Sequence, residues 1–184
     1  MPDYFLFFLL LIAALSHAIC HSILKYNKNP LGILGVTSIF EIIIFTPLVL
    51  TVPMPTPYIW ILIIVSSILH GFYRLLVIFS YDYGDLSFIY PIARGTSSLL
   101  LVIISLIYLT DKISLLGFIA IMIVCMGLFL ISYSDKIKFN YSAFGLGFLT
   151  AIMITAYTLV DGIGVRHSEN PFSFLYWMLL LNGT

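Results

Sequence analysis

Seven apolar runs, separated by short polar links, constrain this chain more than any other feature. They cover residues 4–24, 31–52, 58–80, 86–109, 114–133, 142–163 and 172–184. Most are about 20 residues long, the length at which a helix rising 1.5 Å per residue crosses ~30 Å of hydrocarbon. Inside a bilayer no water is present to satisfy backbone N–H and C=O groups, so each run is predicted to be a helix. Only 9% of the residues are charged and 61% are hydrophobic. A soluble globular chain carries about 25% charge. The expected fold is therefore all-α, a polytopic transmembrane helix bundle. The formal net charge is zero with no basic block, so nucleic acid is not an expected partner. The lipid bilayer is.

The links carry turn-forming residues: Asn27-Lys-Asn-Pro30, Pro53-Met-Pro-Thr-Pro57, Asp82-Tyr-Gly-Asp85, Asp111-Lys112, Asp135-Lys-Ile-Lys138 and Arg166-His-Ser-Glu-Asn-Pro171. Links this short predict antiparallel neighbours. The first run contains a small-x-small Ser16-His-Ala18, as a signal peptide would, but its leader contains Asp3 and no Lys or Arg. A signal peptide wants a positive leader, so this run is expected to be the first span. The last run reaches Thr184 after 13 residues, about 20 Å, which reads as a span cut short.

Let side A carry the N-terminus and side B be the other. The B-side links hold Lys25, Lys28, Lys136 and Lys138, and the A-side links hold Lys112 and Arg166. This count mildly favours B as cytoplasmic. A faint repeat links Ala13-Ala-Leu-Ser-His-Ala18, followed by Asn29-Pro30, to Ala151-Ile-Met-Ile-Thr-Ala156, followed by Asn170-Pro171. Five spans separate the two, so a second copy would enter the membrane inverted, a plan common in transporters. Small residues at that spacing also serve ordinary helix packing.

Ionisable groups inside spans cost roughly 2.5–3.5 kcal/mol each at a helix centre. Counted from side B at 1.5 Å per residue, Arg74 lies about 9 Å deep, His17 about 10 Å, Arg94 about 12 Å, and Glu41 and His70 about 15 Å. Four spans thus contribute to one polar layer reachable from side B. His70 and Arg74 share a helix face, with Tyr73 beside them. Glu41 is read as the only carboxylate of the layer and the counter-ion of Arg74 or Arg94. A pair that merely fixes helix packing is the plainer alternative. Asp161 is expected to be an end cap or a partner of Arg166, and Tyr81 and Tyr83 to belong to an interfacial aromatic belt.

The stretch from Ser80 to Gly95 carries a turn, a helix start, a proline and an arginine into the hydrocarbon. Gly84 is expected to supply the turn, Asp85 or Ser87 to cap the new helix, and Pro91 to free a backbone carbonyl near Tyr90 and Arg94. Gly95 follows Arg94 directly. Cys20 and Cys125 lie in different runs, forming neither a disulfide framework nor a zinc spacing. Both are expected to be buried thiols. His17 and His21 are i,i+4 but lack an accompanying metalloprotease glutamate. No metal, cofactor or enzymatic activity is expected, since no nucleophile–base pair meets the usual spacing.

Leu69-His-Gly-Phe-Tyr73 together with Tyr81-Asp-Tyr-Gly-Asp-Leu-Ser-Phe-Ile-Tyr-Pro-Ile-Ala-Arg-Gly95 resembles the EamA type of the drug/metabolite transporter superfamily. The chain is similar to a bacterial branch with the pattern AYxxGDLSxxYPxARG. His17-Ala18 with Lys25 looks like that branch's HAxWNxxxK start, and Ala156-Tyr-Thr-Leu-Val-Asp-Gly-Ile-Gly-Val-Arg166 looks like its AYTxxDGxGxR. Cys20 and His21 stand where the branch usually has Trp-Asn, Ser98 replaces a frequent proline, and Asp111 stands in place of Glu. The resemblance implies two inverted five-helix repeats, with 1–135 the first and 136–184 the start of the second. It implies multi-pass residence in the cytoplasmic membrane, both termini cytoplasmic, which makes A the cytoplasmic side.

It also implies movement of an unidentified small-molecule solute by alternating access. Arg94 and Arg74 would then attract an anionic or carbonyl-bearing solute, with His70, Tyr73, Tyr90 and Glu41 completing the binding layer. Glu41 and His70 would be the candidates for proton coupling. The alternative is a truncated membrane protein that does not transport, or one that works as a homodimer or with a partner chain.

Overall fold

The computed structural model describes residues 3–108, 114–132 and 140–184. Seven helices are formed there: α1 (Asp3–Tyr26), α2 (Pro30–Val49), α3 (Pro57–Tyr83), α4 (Leu86–Tyr108), α5 (Leu115–Ser132), α6 (Tyr141–His167) and α7 (Pro171–Gly183). Among the described residues there is no strand, and the all-α expectation holds. Five helices (α1, α2, α3, α4 and α6) are long and apolar enough to span a membrane. Their outward faces are coated with exposed Phe, Leu, Ile and Val, as a lipid-facing surface requires. The links at 111–112 and 135–138, the boundary drawn at 135/136, and Lys112, Lys136 and Lys138 lie outside the described residues.

Local chemistry accounts for the helix starts. Asn29 accepts a hydrogen bond from Gly32 N at 2.9 Å, Asn140 from Ser142 N at 2.9 Å, and Asn170 from Phe172 N at 2.9 Å. These side chains satisfy orphan donors of the first turn, Asn140 also reaching Ala143 N at 3.4 Å, and Pro30 and Pro171 follow at the position where a missing N–H costs nothing. The two Asn-Pro sites of the faint repeat are therefore both asparagine-capped helix starts, Asn29 reaching the third helical N–H and Asn170 the second.

Contacts at the helix ends sort the links into two ends of the bundle. Lys25 Nζ donates to Gly84 O at 2.8 Å and also to Tyr81 O, and Asn140 Nδ2 donates to Tyr83 O at 2.9 Å. These gather the ends of α1 and α3 with the start of α6. Ser173 Oγ donates to Pro53 O at 2.6 Å, and the Tyr58 and His167 rings lie 6.1 Å apart at the opposite end. The alternation predicted from the run lengths is met.

Short links do not choose the packing partners, however. Consecutive helices among α1–α4 barely touch, whereas α6 packs closely on both α3 and α4, α7 on α2 and α3, and α5 on α4. Side-chain shape explains this. Ala143, Gly147, Thr150, Ala151, Ile154 and Thr155 form one buried, mostly small-residue stripe on α6. A Cβ on Gly147 would come within 3.3 Å of Ile92 Cγ2, so glycine lets α4 approach. Val77, Tyr81, Phe88, Ile89, Ile92 and Ala143 form one core where α3, α4 and α6 meet. Ile59, Ile63, Phe174 and Met178 form a second between α3 and α7, with Trp60 and Trp177 edge to face at 5.0 Å.

Two expectations near the central motif change. Gly84 has φ −161° and ψ 170°, extended backbone open to any residue. Glycine is needed there because a Cβ would lie 2.8 Å from Ala143 Cβ. Its role is close approach to α6, not turn geometry. Asp85 occupies the cap position before α4, its carbonyl accepting from Phe88 N and Ile89 N at 3.0 Å, and Ser87 is already inside the helix. Pro91 is accommodated within α4, and Gly95 faces α5, its carbonyl 3.6 Å from Cys125 Sγ.

Candidate functional site

Residues from α1, α2, α3, α6 and α7 enclose a partly open cavity of about 360 Å³. It runs from Leu24 and Ile33, within a turn of the α1–α2 link, down to His70 and Tyr157. That is the side-B approach expected from the depth count. Glu41, His70, Tyr73, Arg74 and His17 all line it. Arg94 and Tyr90 do not. They line a small adjoining space of about 10 Å³, with His21, Tyr73 and Val77 on the wall between the two.

Three polar clusters make up the layer. In the first, Arg74 Nη2 donates to Glu41 Oε1 at 2.5 Å and Nη1 donates to Asn182 O at 3.0 Å, tying α3 to α2 and α7. Both charged side chains are about one-fifth exposed. Glu41 Oε2 and Asn182 Oδ1 are buried acceptors with no protein donor, and both residues face the cavity. Of the two counter-ions offered to Glu41 by the sequence, the structure selects Arg74.

In the second cluster, His70 Nε2 lies 3.1 Å from Asp161 Oδ2, and Ser66 Oγ donates to Asp161 Oδ1. The His70 ring stacks on Tyr157 at 3.9 Å, and Tyr73 meets Tyr157 edge-on at 5.4 Å. Asp161 is thus neither an end cap nor a lone partner of Arg166, and Glu41 is not the only carboxylate of the layer. The apolar run ends at residue 163, but α6 continues to His167. Six further residues place Asp161 about 9 Å inside the helix end.

The third cluster joins α1 to α3 and α4. His21 Nδ1 lies 2.6 Å from Tyr81 Oη, and His21 Nε2 lies 3.4 Å from Tyr73 Oη. Whichever ring nitrogen carries the proton, one tyrosine donates and the other accepts. Arg94 Nη2 bonds His17 Nε2, and its guanidinium sits 5.7 Å from the Tyr90 ring centre. The His17 and His21 rings are 4.4 Å apart. Tyr81 is therefore buried in the site rather than in an interfacial belt, whereas Tyr83 is 54% exposed. Cys125 is buried, but Cys20 is exposed and lines the cavity, contrary to expectation.

Sequence reasoning missed Asp161, Tyr157, Ser66 and Asn182 as members of the layer. His21, four residues after His17, carried a usable signal. Tyr157 and Asp161 share the same i,i+4 spacing, which puts both on one face. Among the described residues, no group of three or more His, Cys, Asp or Glu is placed to hold a metal ion. Compared with known protein families, curated proteins and solved structures, the chain matches none.

Proposed function

We propose that this membrane protein is a transporter that passes a small polar solute through the cavity between α1, α2, α3, α6 and α7 by alternating access. The observation that carries this reading is a partly open cavity of about 360 Å³ walled at membrane depth by Glu41, Arg74, His70 and His17. Intramembrane ionisable residues facing a cavity mark solute or proton pathways. A volume of this order is at the small end of ligand pockets. The EamA-type resemblance, with residence in the cytoplasmic membrane and an inverted second repeat, supports the same reading. So do the two Asn-Pro helix starts, which lie at opposite ends of the bundle. No enzymatic step is part of the proposal.

Cys20 provides a test that requires no knowledge of the solute. A thiol in hydrocarbon does not meet a charged reagent, whereas one in a hydrated cavity does. In sealed vesicles of the Cys125→Ala chain, a membrane-impermeant maleimide is expected to label Cys20 from side B at once. Under alternating access it also labels Cys20 slowly from side A. Labelling confined to one side would reduce the cavity to a blind pocket and remove the transport reading.

A further inference from the structure

We infer that the Glu41–Asn182 corner of the cavity is a subsite for an uncharged solute with paired hydrogen-bond donors, of which a primary amide is the simplest. This rests on the transporter reading and names the chemistry of its solute.

Among the described residues, four buried side-chain atoms find no protein partner: Glu41 Oε2, Ser67 Oγ, Trp177 Nε1 and Asn182 Oδ1. Of these residues, Glu41 and Asn182 line the cavity, and Ser67 and Trp177 do not. An acceptor withdrawn from water and left unpaired is costly, more so on a carboxylate. The Arg74 guanidinium fixes both residues, donating to Glu41 Oε1 at 2.5 Å and to the Asn182 carbonyl at 3.0 Å. One side chain therefore gathers the two unpaired oxygens into a single corner, where α2, α3 and α7 meet. Each oxygen lies just beneath the cavity surface, so a small rotation of its side chain presents it to a solute.

Charge selects among donors. An ammonium group on Glu41 Oε2 would share the carboxylate with Arg74 and lie within a few ångströms of the guanidinium. Surroundings of low dielectric strengthen that repulsion. An anion would bring more acceptors to a corner whose unpaired atoms are all acceptors, beside the Glu41 charge. The anionic solute expected from two arginines thus finds Arg74 already engaged. A neutral –NH2 group meets neither penalty, because its two hydrogens match two acceptors. The Glu41–Arg74 pair keeps the corner neutral overall, so an uncharged solute enters without a counter-ion. Leu34, Val77 and Leu179 give the same cavity an apolar wall for the rest of the solute.

The test is saturation-transfer NMR on the full chain in zwitterionic nanodiscs, with empty nanodiscs as background. Three small probes are titrated: acetamide, which has paired N–H donors, N,N-dimethylacetamide, which has none, and ethylammonium, whose donors carry charge. Acetamide is expected to bind saturably and about tenfold more tightly than either of the others, as the loss of one or two hydrogen bonds implies. Asn182→Leu removes one acceptor but keeps the backbone carbonyl that Arg74 holds, and should weaken acetamide about fivefold or more. Glu41→Gln turns the other acceptor into a donor and should weaken acetamide about tenfold or more, with N,N-dimethylacetamide unaffected. Melting curves establish that each variant is folded. Equal binding of acetamide and N,N-dimethylacetamide, ethylammonium binding as tight as acetamide, or acetamide binding unchanged in Asn182→Leu or Glu41→Gln would each overturn the proposal. So would the absence of saturable acetamide binding, the outcome if the Asn182 amide turns to donate to Glu41 itself. Labelling of Cys20 needs none of these probes, so the transporter reading stands or falls separately.

Discussion

Arg74 reaches from α3 to Glu41 on α2 and to the Asn182 carbonyl on α7 with the two arms of one guanidinium, at 2.5 and 3.0 Å. Three helices that share few other polar contacts at this depth are joined by one residue. Removing either member of a buried pair leaves its partner charged and unpaired. Arg74→Ala is therefore expected to destabilise the protein by about 2–4 kcal/mol, less than a fully buried pair because both side chains remain partly exposed. Adding Glu41→Gln should recover about 1 kcal/mol or more, because the stranded charge is gone. Denaturation of the single and double variants in detergent measures the coupling. Strict additivity would mean that the pair contributes nothing.

Gly84 yields a prediction about shape. A methyl group there would lie 2.8 Å from Ala143 Cβ, and neither backbone can give way easily. Gly84→Ala should cost about 1–3 kcal/mol by overpacking. Combining it with Ala143→Gly should restore most of the loss. If Gly84→Ala melts like the parent, α3 and α6 are not as close as described.

Lys25 closes the end of α3 by donating to Tyr81 O and Gly84 O. Cations at helix C-termini satisfy orphan carbonyls and offset the dipole. Lys25→Met keeps the apolar stem and removes the charge, and should lower stability by about 1–2 kcal/mol. Because few other contacts hold α1, a cysteine crosslink engineered between its C-terminal turn and α3 should form more slowly in this variant. An unchanged rate would show that the lysine does not hold the helix.

Asp161 offers a prediction about the contact between α3 and α6. Its carboxylate accepts from Ser66 and lies 3.1 Å from His70 Nε2. Asp161→Asn preserves shape and one acceptor oxygen, and should cost about 1–2 kcal/mol, whereas Asp161→Ala, which leaves both partners unsatisfied, should cost about 2–3 kcal/mol. Denaturation of the two variants in detergent measures the difference. Equal stability of Asp161→Ala and the parent would mean that the cluster does not tie α3 to α6.

Much of this fold was legible because hydrocarbon permits so few backbone solutions. Apolar run lengths placed all seven helices to within a few residues, and the depth count grouped Glu41, His70, Arg74 and His17 correctly. Helix ends were less legible, because helices continue past the last apolar residue when polar ends can face water. That is why Asp161 was misplaced and why Tyr81 was assigned to a belt. Packing partners were not legible from link length at all. They follow from the small-residue stripe on α6, whose facing helices cannot be named from one helix alone. The choice of Arg74 over Arg94 for Glu41 likewise depended on the way α2 and α3 are rotated.

The light contacts of α1 with the other helices give the cavity one wall unlike the rest. Lipid tails offer a helix nearly the same dispersion contacts that a protein neighbour does. What keeps α1 in place is the set of polar contacts from His17, His21 and Lys25, not apolar packing. Displacing it exposes the cavity sideways, to the plane of the bilayer, without parting the contact between α3 and α6. Parting α1 from the bundle would cost polar contacts and little buried apolar surface.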